Sequence, residues 1–178
     1  MRSTKKLRDL TFVALMSAFI AVSSFIAIPI PSPVVITLQT LGIYLSLFML
    51  GGKRGTASVL LYVALGAVGL PVFSGFSGGV GRLLDATGGF IWGFVLLAVI
   101  YWLLSFLTGK LFIIRVAVSL AALYLMGSVW YAFVYLGGFA DIPYAMLVCV
   151  IPFVIPDIVK IFIAYYISKR LKKAGFIL

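Results

Sequence analysis

Apolar runs, each about as long as a bilayer is thick, follow one another along almost the whole chain, separated by short glycine-, proline- or cation-bearing breaks. They cover about 10–30, 34–50, 56–73, 88–107, 115–136 and 156–172. A hydrocarbon core about 30 Å thick is crossed by about 20 helical residues. Backbone placed in lipid must satisfy its own hydrogen bonds, which favours helices for such runs. The expectation is one all-α membrane domain over 1–178 with six transmembrane helices. Composition agrees: 64% of residues are hydrophobic and 10% charged, against about 45–50% and about 25% in a soluble domain. A chain of mean hydropathy +1.26 cannot cover its own surface with polar groups. The basic start followed by an apolar run resembles a secretory signal peptide, with Ala21-Val22-Ser23 as a passable cleavage site. The run continues past that point, so it reads as the first spanning helix.

The charges orient the chain. Fourteen Lys and Arg face four acids, and there is no His. Arg2, Lys5, Lys6 and Arg8 precede the first run, Lys53 and Arg54 sit in the second break, and Lys110 and Arg115 flank the fourth. Lys169, Arg170, Lys172 and Lys173 follow the sixth run. The first break is uncharged, the third holds Arg82 and Asp85, and the fifth holds Asp141. With six helices every cation-rich segment falls on one side, so both termini are expected to be cytoplasmic. The net charge of +10 is then a topology signal. The cations form no stripe with interleaved aromatics, and no nucleic-acid partner is expected.

Composition also removes chemistry. Without His or Glu a Ser-His-Asp triad is impossible within this chain, and a protein-ligated zinc site is disfavoured. Cys149, the one cysteine, allows no internal disulfide. Gly52-Lys53 and Gly109-Lys110 lack the earlier glycine and following Ser or Thr of a P-loop. The chain is expected to be no enzyme, to hold no cofactor or metal, and to hydrolyse no ATP itself.

Three features remain. Asp157 and Lys160 are three residues apart and share a helix face. At about 1.5 Å per residue, Asp157 lies roughly 18 Å from Lys169 and the basic belt, inside the membrane. Charges there face each other or a cavity and default to function. A polar ligand site, a self-neutralising structural pair and a proton relay are the three readings. Pro156 is comfortable in a helix's first turn, so the last helix is expected to begin there, with Asp157 in that turn and 141–153 a short outer helix or loop. One kinked span across Pro152 and Pro156 is the alternative. The glycine-rich segment 74–89 could bring backbone close to a ligand or be a loop. Ala14 and Ala18, with Ser17 and Ala21 beside them, give helix one a small-residue face suited to close packing.

Blocks along the chain resemble the BioY family, the biotin-specific substrate-binding (S) subunits of energy-coupling-factor (ECF) transporters. They are Val35-Ile36-Thr37-Leu38-Gln39-Thr40-Leu41-Gly42, Gly66-Ala67-Val68-Gly69-Leu70-Pro71-Val72-Phe73, Ser77-Gly78-Gly79-Val80-Gly81, Thr87-Gly88-Gly89-Phe90 and Pro152-Phe153-Val154-Ile155-Pro156-Asp157-Ile158-Val159-Lys160. The resemblance implies six helices, a biotin site near the outer face and a prokaryotic plasma membrane. It implies that Ala14-Leu15-Met16-Ser17-Ala18 docks on a transmembrane coupling subunit, with two ABC ATPases on other chains. On this resemblance Asp157 and Lys160 would meet the ureido ring, and Arg82 and the glycine backbone near Gly79 the valerate carboxylate. Phe73 would flank the thiophane ring, and Gln39 would join the substrate site. The family usually reads Gly-Pro-Thr-Gly-Gly where this chain has Asp85-Ala86-Thr87-Gly88-Gly89. An S subunit for another vitamin and a self-sufficient carrier are the alternatives.

Overall fold

The computed structural model describes residues 2–29, 34–138 and 141–175, with side chains from residue 4 onward. The prolines Pro31 and Pro33 of the expected first turn lie outside the described residues. Helix α1 (Arg2–Phe25) is followed by a two-stranded antiparallel ladder of β1 (Ala27–Ile28) and β2 (Ile36–Thr37). Helix α2 (Gln39–Ala67) follows, then the short α3 (Val80–Leu84) and α4 (Gly88–Leu103). Two 3₁₀ turns lead into α5 (Phe112–Tyr131), which ends in a π-turn over Ala132–Leu136. Helix α6 (Ile142–Cys149) and helix α7 (Ile151–Lys173) complete the bundle.

Among the described residues, four segments are long and apolar enough to cross a membrane: Thr4–Phe25, Gly88–Phe106, Gly109–Leu136 and Ile151–Lys173. The expected second and third spans are the two arms of α2. They are separated by Gly51 alone, whose φ of 79° and ψ of 172° leave the helical region. Such a dihedral is open to glycine and strained for other residues. The expected loop 51–55 is therefore one residue, and Lys53 and Arg54 already belong to the second arm. The first arm begins at Gln39, not 34, because 36–37 are engaged in the ladder with 27–28. The second arm ends at Ala67, well before 73, where the chain turns through Gly69 in a positive-φ conformation towards Pro71.

The last helix begins at Ile151, earlier than the expected Pro156. Pro152 takes the favourable first-turn position and Pro156 lies inside the helix. A proline there removes one bond near the helix start. Asp157 is consequently in the second turn. The break from α6 is at Val150, with φ −120° and ψ −52°, so the expected short element before the last span is the helix α6.

The first arm of α2 is the axis of the molecule. Leu41 to Leu50 are all buried, as in a helix enclosed on every side. Helices α1, α4 and α7 pack around it, and α5 packs on α4. Buried hydroxyls tie α1 to the segment after α2 and join helices: Ser24 Oγ donates to Val72 O at 2.7 Å, Thr56 Oγ1 to Ala98 O at 2.9 Å and Tyr44 OH to Val116 O at 3.1 Å. In lipid such bonds and close packing replace the hydrophobic drive that assembles soluble cores. The outer surfaces of α5 and α7 expose Ile113, Phe133, Ile155 and Phe162, as lipid-facing helices do.

Candidate functional site

A cavity of about 320 Å³ lies at the end of the bundle away from the Lys169–Lys173 cluster. Five of the six residues expected at the substrate site line it: Asp157, Lys160, Arg82, Phe73 and Gln39. Helices α2 and α7 build its floor, α4 and α5 its wall, and the 73–87 segment its mouth. Gly79 is not among the lining residues. It turns the chain with φ 93°, and its N–H donates to Gly66 O at 2.7 Å. It therefore anchors the mouth segment to the second arm of α2, while Ser74 and Gly75 reach the cavity in its place.

The floor is a closed polar network. Lys160 Nζ donates to Asp157 Oδ1 at 2.6 Å, and both side chains are buried. Thr40 Oγ1 donates to the same oxygen at 2.8 Å and accepts from Lys160 Nζ at 3.2 Å. Tyr124 OH donates to Asp157 Oδ2 at 2.7 Å. A carboxylate offers about four acceptor positions and an ammonium three donors. These contacts use three of the former and two of the latter, leaving one acceptor and one donor for a ligand. Such a floor is near-neutral in charge yet can pair a neutral group that carries both an N–H and a carbonyl. Beside it, Thr37 Oγ1 donates to Gln39 Oε1 at 2.8 Å and Gln39 Nε2 donates to Tyr62 OH at 2.6 Å. Gln39 is thus held in one orientation with one amide N–H unused.

Phe73 is 1% exposed and forms the apolar side together with Phe90, Phe94 and Phe153. Its ring lies against Gly66, where an added Cβ would collide with it. It meets Tyr62 edge-on at 5.6 Å between centroids. A cavity with aromatic walls and a few fixed polar groups is the usual form of a small-molecule site.

At the mouth, Arg82 Nη1 donates to Asp85 Oδ2. The other oxygen of Asp85 accepts from Thr87 N at 2.8 Å and Thr87 Oγ1 at 2.9 Å. Trp130 Nε1 on α5 donates to Asp85 O at 2.9 Å. Asp85 therefore ties α3 to the start of α4 and to α5, and steadies Arg82. Arg82 Nε is buried without a hydrogen-bond partner, so the guanidinium retains donors for an anionic group.

Sequence reasoning did not single out Thr40, Tyr124, Thr37 or Tyr62. Thr37 and Thr40 lie within the Val35–Gly42 block, whereas Tyr124 stands in an apolar run with nothing to mark it. Ala14 and Ala18 are exposed on α1 and line no part of the cavity, while Ser17 between them is buried.

A family model described as "BioY family" matches residues 1–175. A Pyrococcus horikoshii protein named probable biotin transporter BioY is 38% identical over 167 residues, 94% of this chain and 98% of that protein. The biotin transporter BioY of Thermotoga maritima is 38% identical over 169 residues, covering 94% and 97%. Among solved structures, the S-component for biotin from an ECF-type ABC transporter superposes with a TM-score of 0.82 at 30% identity. It covers 97% of this chain and 95% of that one.

Proposed function

This chain belongs to the BioY family, and from that premise we infer that it is the biotin-binding S subunit of an ECF-type ABC transporter, a transport protein and not an enzyme. The observation that carries the reading is the cavity, whose floor holds one unused acceptor beside one unused donor and whose mouth holds a cation. A ureido ring presents N–H groups and a carbonyl together, which suits Asp157 and Lys160. The carboxylate at the other end of the ligand suits Arg82, with the backbone of Ser74 and Gly75 nearby. The aromatic wall of Phe73, Phe90, Phe94 and Phe153 suits the thiophane ring and aliphatic tail.

In this reading both arms of α2 cross the membrane, giving six spans with both termini cytoplasmic in the plasma membrane of a prokaryote. Two considerations support it. At Gly51 the chain folds back, so that Gly55 of the second arm lies against Leu47 of the first, at the one point where Lys53 and Arg54 would meet the inner surface. The ion pair Arg54–Asp9 at 2.8 Å also ties that point to the beginning of α1. The site then opens outward and captures biotin from outside. Transport energy comes from a coupling subunit and two ABC ATPases on other chains, and the coupling subunit docks on the Ala14/Ala18 face of α1.

Titration calorimetry on biotin-free protein tests the assignment, with 1:1 binding expected. Heat with a different vitamin and none with biotin would overturn the substrate and keep the class. Accumulation of biotin against a gradient by proteoliposomes holding this chain alone would establish a self-sufficient carrier instead.

A further inference from the structure

Helices α5 and α7 leave a crevice between them on the outside of the bundle, with a volume of about 660 Å³. Its walls are apolar, formed by Phe112, Ile113, Leu120, Ile158, Ile161 and Phe162. It runs along α5 from Phe112 to Tyr124, roughly 18 Å at the helical rise. That is close to half of a hydrocarbon core about 30 Å thick, the depth of one leaflet.

At the Phe112 end the crevice continues into a second hollow of about 520 Å³. Phe48, Phe112 and Tyr165 line both, and their rings form a contiguous trio with centroids 5.4 to 6.1 Å apart. This second hollow is cationic. Arg115, Lys169 and Lys172 line it, and no acid does. Arg115 is only 8% exposed. Its Nε donates to Tyr101 O at 2.7 Å and its guanidinium stacks 3.6 Å from the Tyr101 ring centroid. It forms no ion pair among the described residues. The chain has four acids. Asp9, Asp85 and Asp157 pair with Arg54, Arg82 and Lys160, and Asp141 stands just before α6, which follows the opposite end of α5. Three cations thus converge on a hollow joined to an apolar groove one leaflet deep.

We propose that this crevice binds one anionic phospholipid, its phosphate held by Arg115, Lys169 and Lys172 and one acyl chain laid between α5 and α7. The orientation given above places it in the inner leaflet, but binding itself depends neither on that orientation nor on biotin. Charge selects the headgroup. An anionic glycerol-type headgroup adds no cation, whereas the choline of a zwitterionic lipid finds no acid in the hollow. Anionic lipid gains on the order of fivefold per cation near the membrane surface.

Native mass spectrometry of the delipidated, detergent-purified chain tests this, with dioleoylphosphatidylglycerol and dioleoylphosphatidylcholine titrated in parallel. The expected result is one phosphatidylglycerol retained at about tenfold lower concentration than phosphatidylcholine or below. Lys169→Gln combined with Lys172→Gln should weaken phosphatidylglycerol retention roughly thirtyfold. Arg115→Gln should lower the preference roughly fivefold, and the lysine pair keeps the test decisive should that buried change impair folding. Ala121→Trp, which fills the groove, should reduce retention of both lipids. Equal retention of the two lipids overturns the proposal, as does an undiminished preference in the lysine variant. Displacement of phosphatidylglycerol by millimolar inorganic phosphate would also overturn it, showing a phosphate pocket with no lipid seat. Biotin calorimetry on the same samples separates this outcome from the functional reading, since the lysine variant should bind biotin normally.

Discussion

Asp157–Lys160 and Arg82–Asp85 have the same sequence spacing and nearly the same chemistry, yet their surroundings make them different devices. Asp157 and Lys160 are 3% and 5% exposed, and Thr40 and Tyr124 close around them from two other helices. Arg82 and Asp85 lie at the cavity mouth with about a third of each side chain accessible. A buried charge that loses its partner is strongly unfavourable, whereas a part-exposed pair is screened and contributes little. The inner pair therefore has to stay assembled and can offer only its unused lone pair and N–H. The outer pair can open, as the proposed carboxylate-binding mouth would require. Spacing places two charges on one face; enclosure decides whether they act as a fixed template or as an adjustable contact.

The strongest way to break that contrast is to remove one member of the inner pair. Lys160→Met leaves Asp157 buried without a cation and should lower stability by about 3–5 kcal/mol, read as a fall in the midpoint of thermal unfolding in detergent. Asp157→Asn should weaken biotin by on the order of 2–4 kcal/mol, roughly 30- to 1000-fold. The double variant Asp157→Asn/Lys160→Met removes both charges and should recover most of the stability without recovering affinity. Wild-type affinity in the double variant would make the pair structural and move the site to the mouth. Tyr124→Phe deletes one hydrogen bond to a charged carboxylate and should cost about 1.5–3 kcal/mol of biotin affinity or stability. A change below about 0.5 kcal/mol in both would show that Asp157 does not depend on α5.

At the mouth smaller effects are expected. Arg82→Gln should weaken biotin by about 1 kcal/mol, roughly fivefold, and leave a neutral biotin amide unaffected. Equal loss for acid and amide would show that Arg82 acts through loop structure and not through charge. The smallest effect on binding belongs to Ala14→Trp with Ala18→Trp. Both positions are exposed and remote from the cavity, so calorimetry should show unchanged affinity while co-purification with the coupling subunit falls. Intact co-purification would move docking off this face.

Several residues of the candidate site were legible in the chain itself. Asp157 and Lys160 announce themselves because charge inside an apolar run is costly and needs a reason. Arg82 stands out as the cation of a break otherwise free of Lys and Arg. Thr40 and Tyr124 carry no such mark, since a hydroxyl is tolerated in any spanning helix. They reach Asp157 from 117 and 33 positions away. Gly79 was legible as a special backbone position but not as an anchor, because its partner Gly66 lies on another element. The start of the last helix depended on which of two prolines occupied the first turn, and Pro152 and Pro156 present the same local signal.

The sequence by itself determined that lipid is part of this protein's solvent, the order of its helical segments, and the presence of a charged pair within an apolar helix. Hydrocarbon tolerates few charges and little unpaired backbone, so those features are written residue by residue. Tertiary structure decided that the first arm of α2 is enclosed while α5 and α7 face outward, and that Thr40, Tyr124, Gln39, Phe73 and Arg82 meet around one cavity. The physical reason is that lipid is as apolar as a protein interior. An enclosed helix and a lipid-facing one then carry the same hydrophobic signature, and only the packing of small residues and the pairing of buried hydroxyls settle which side of each helix turns inward.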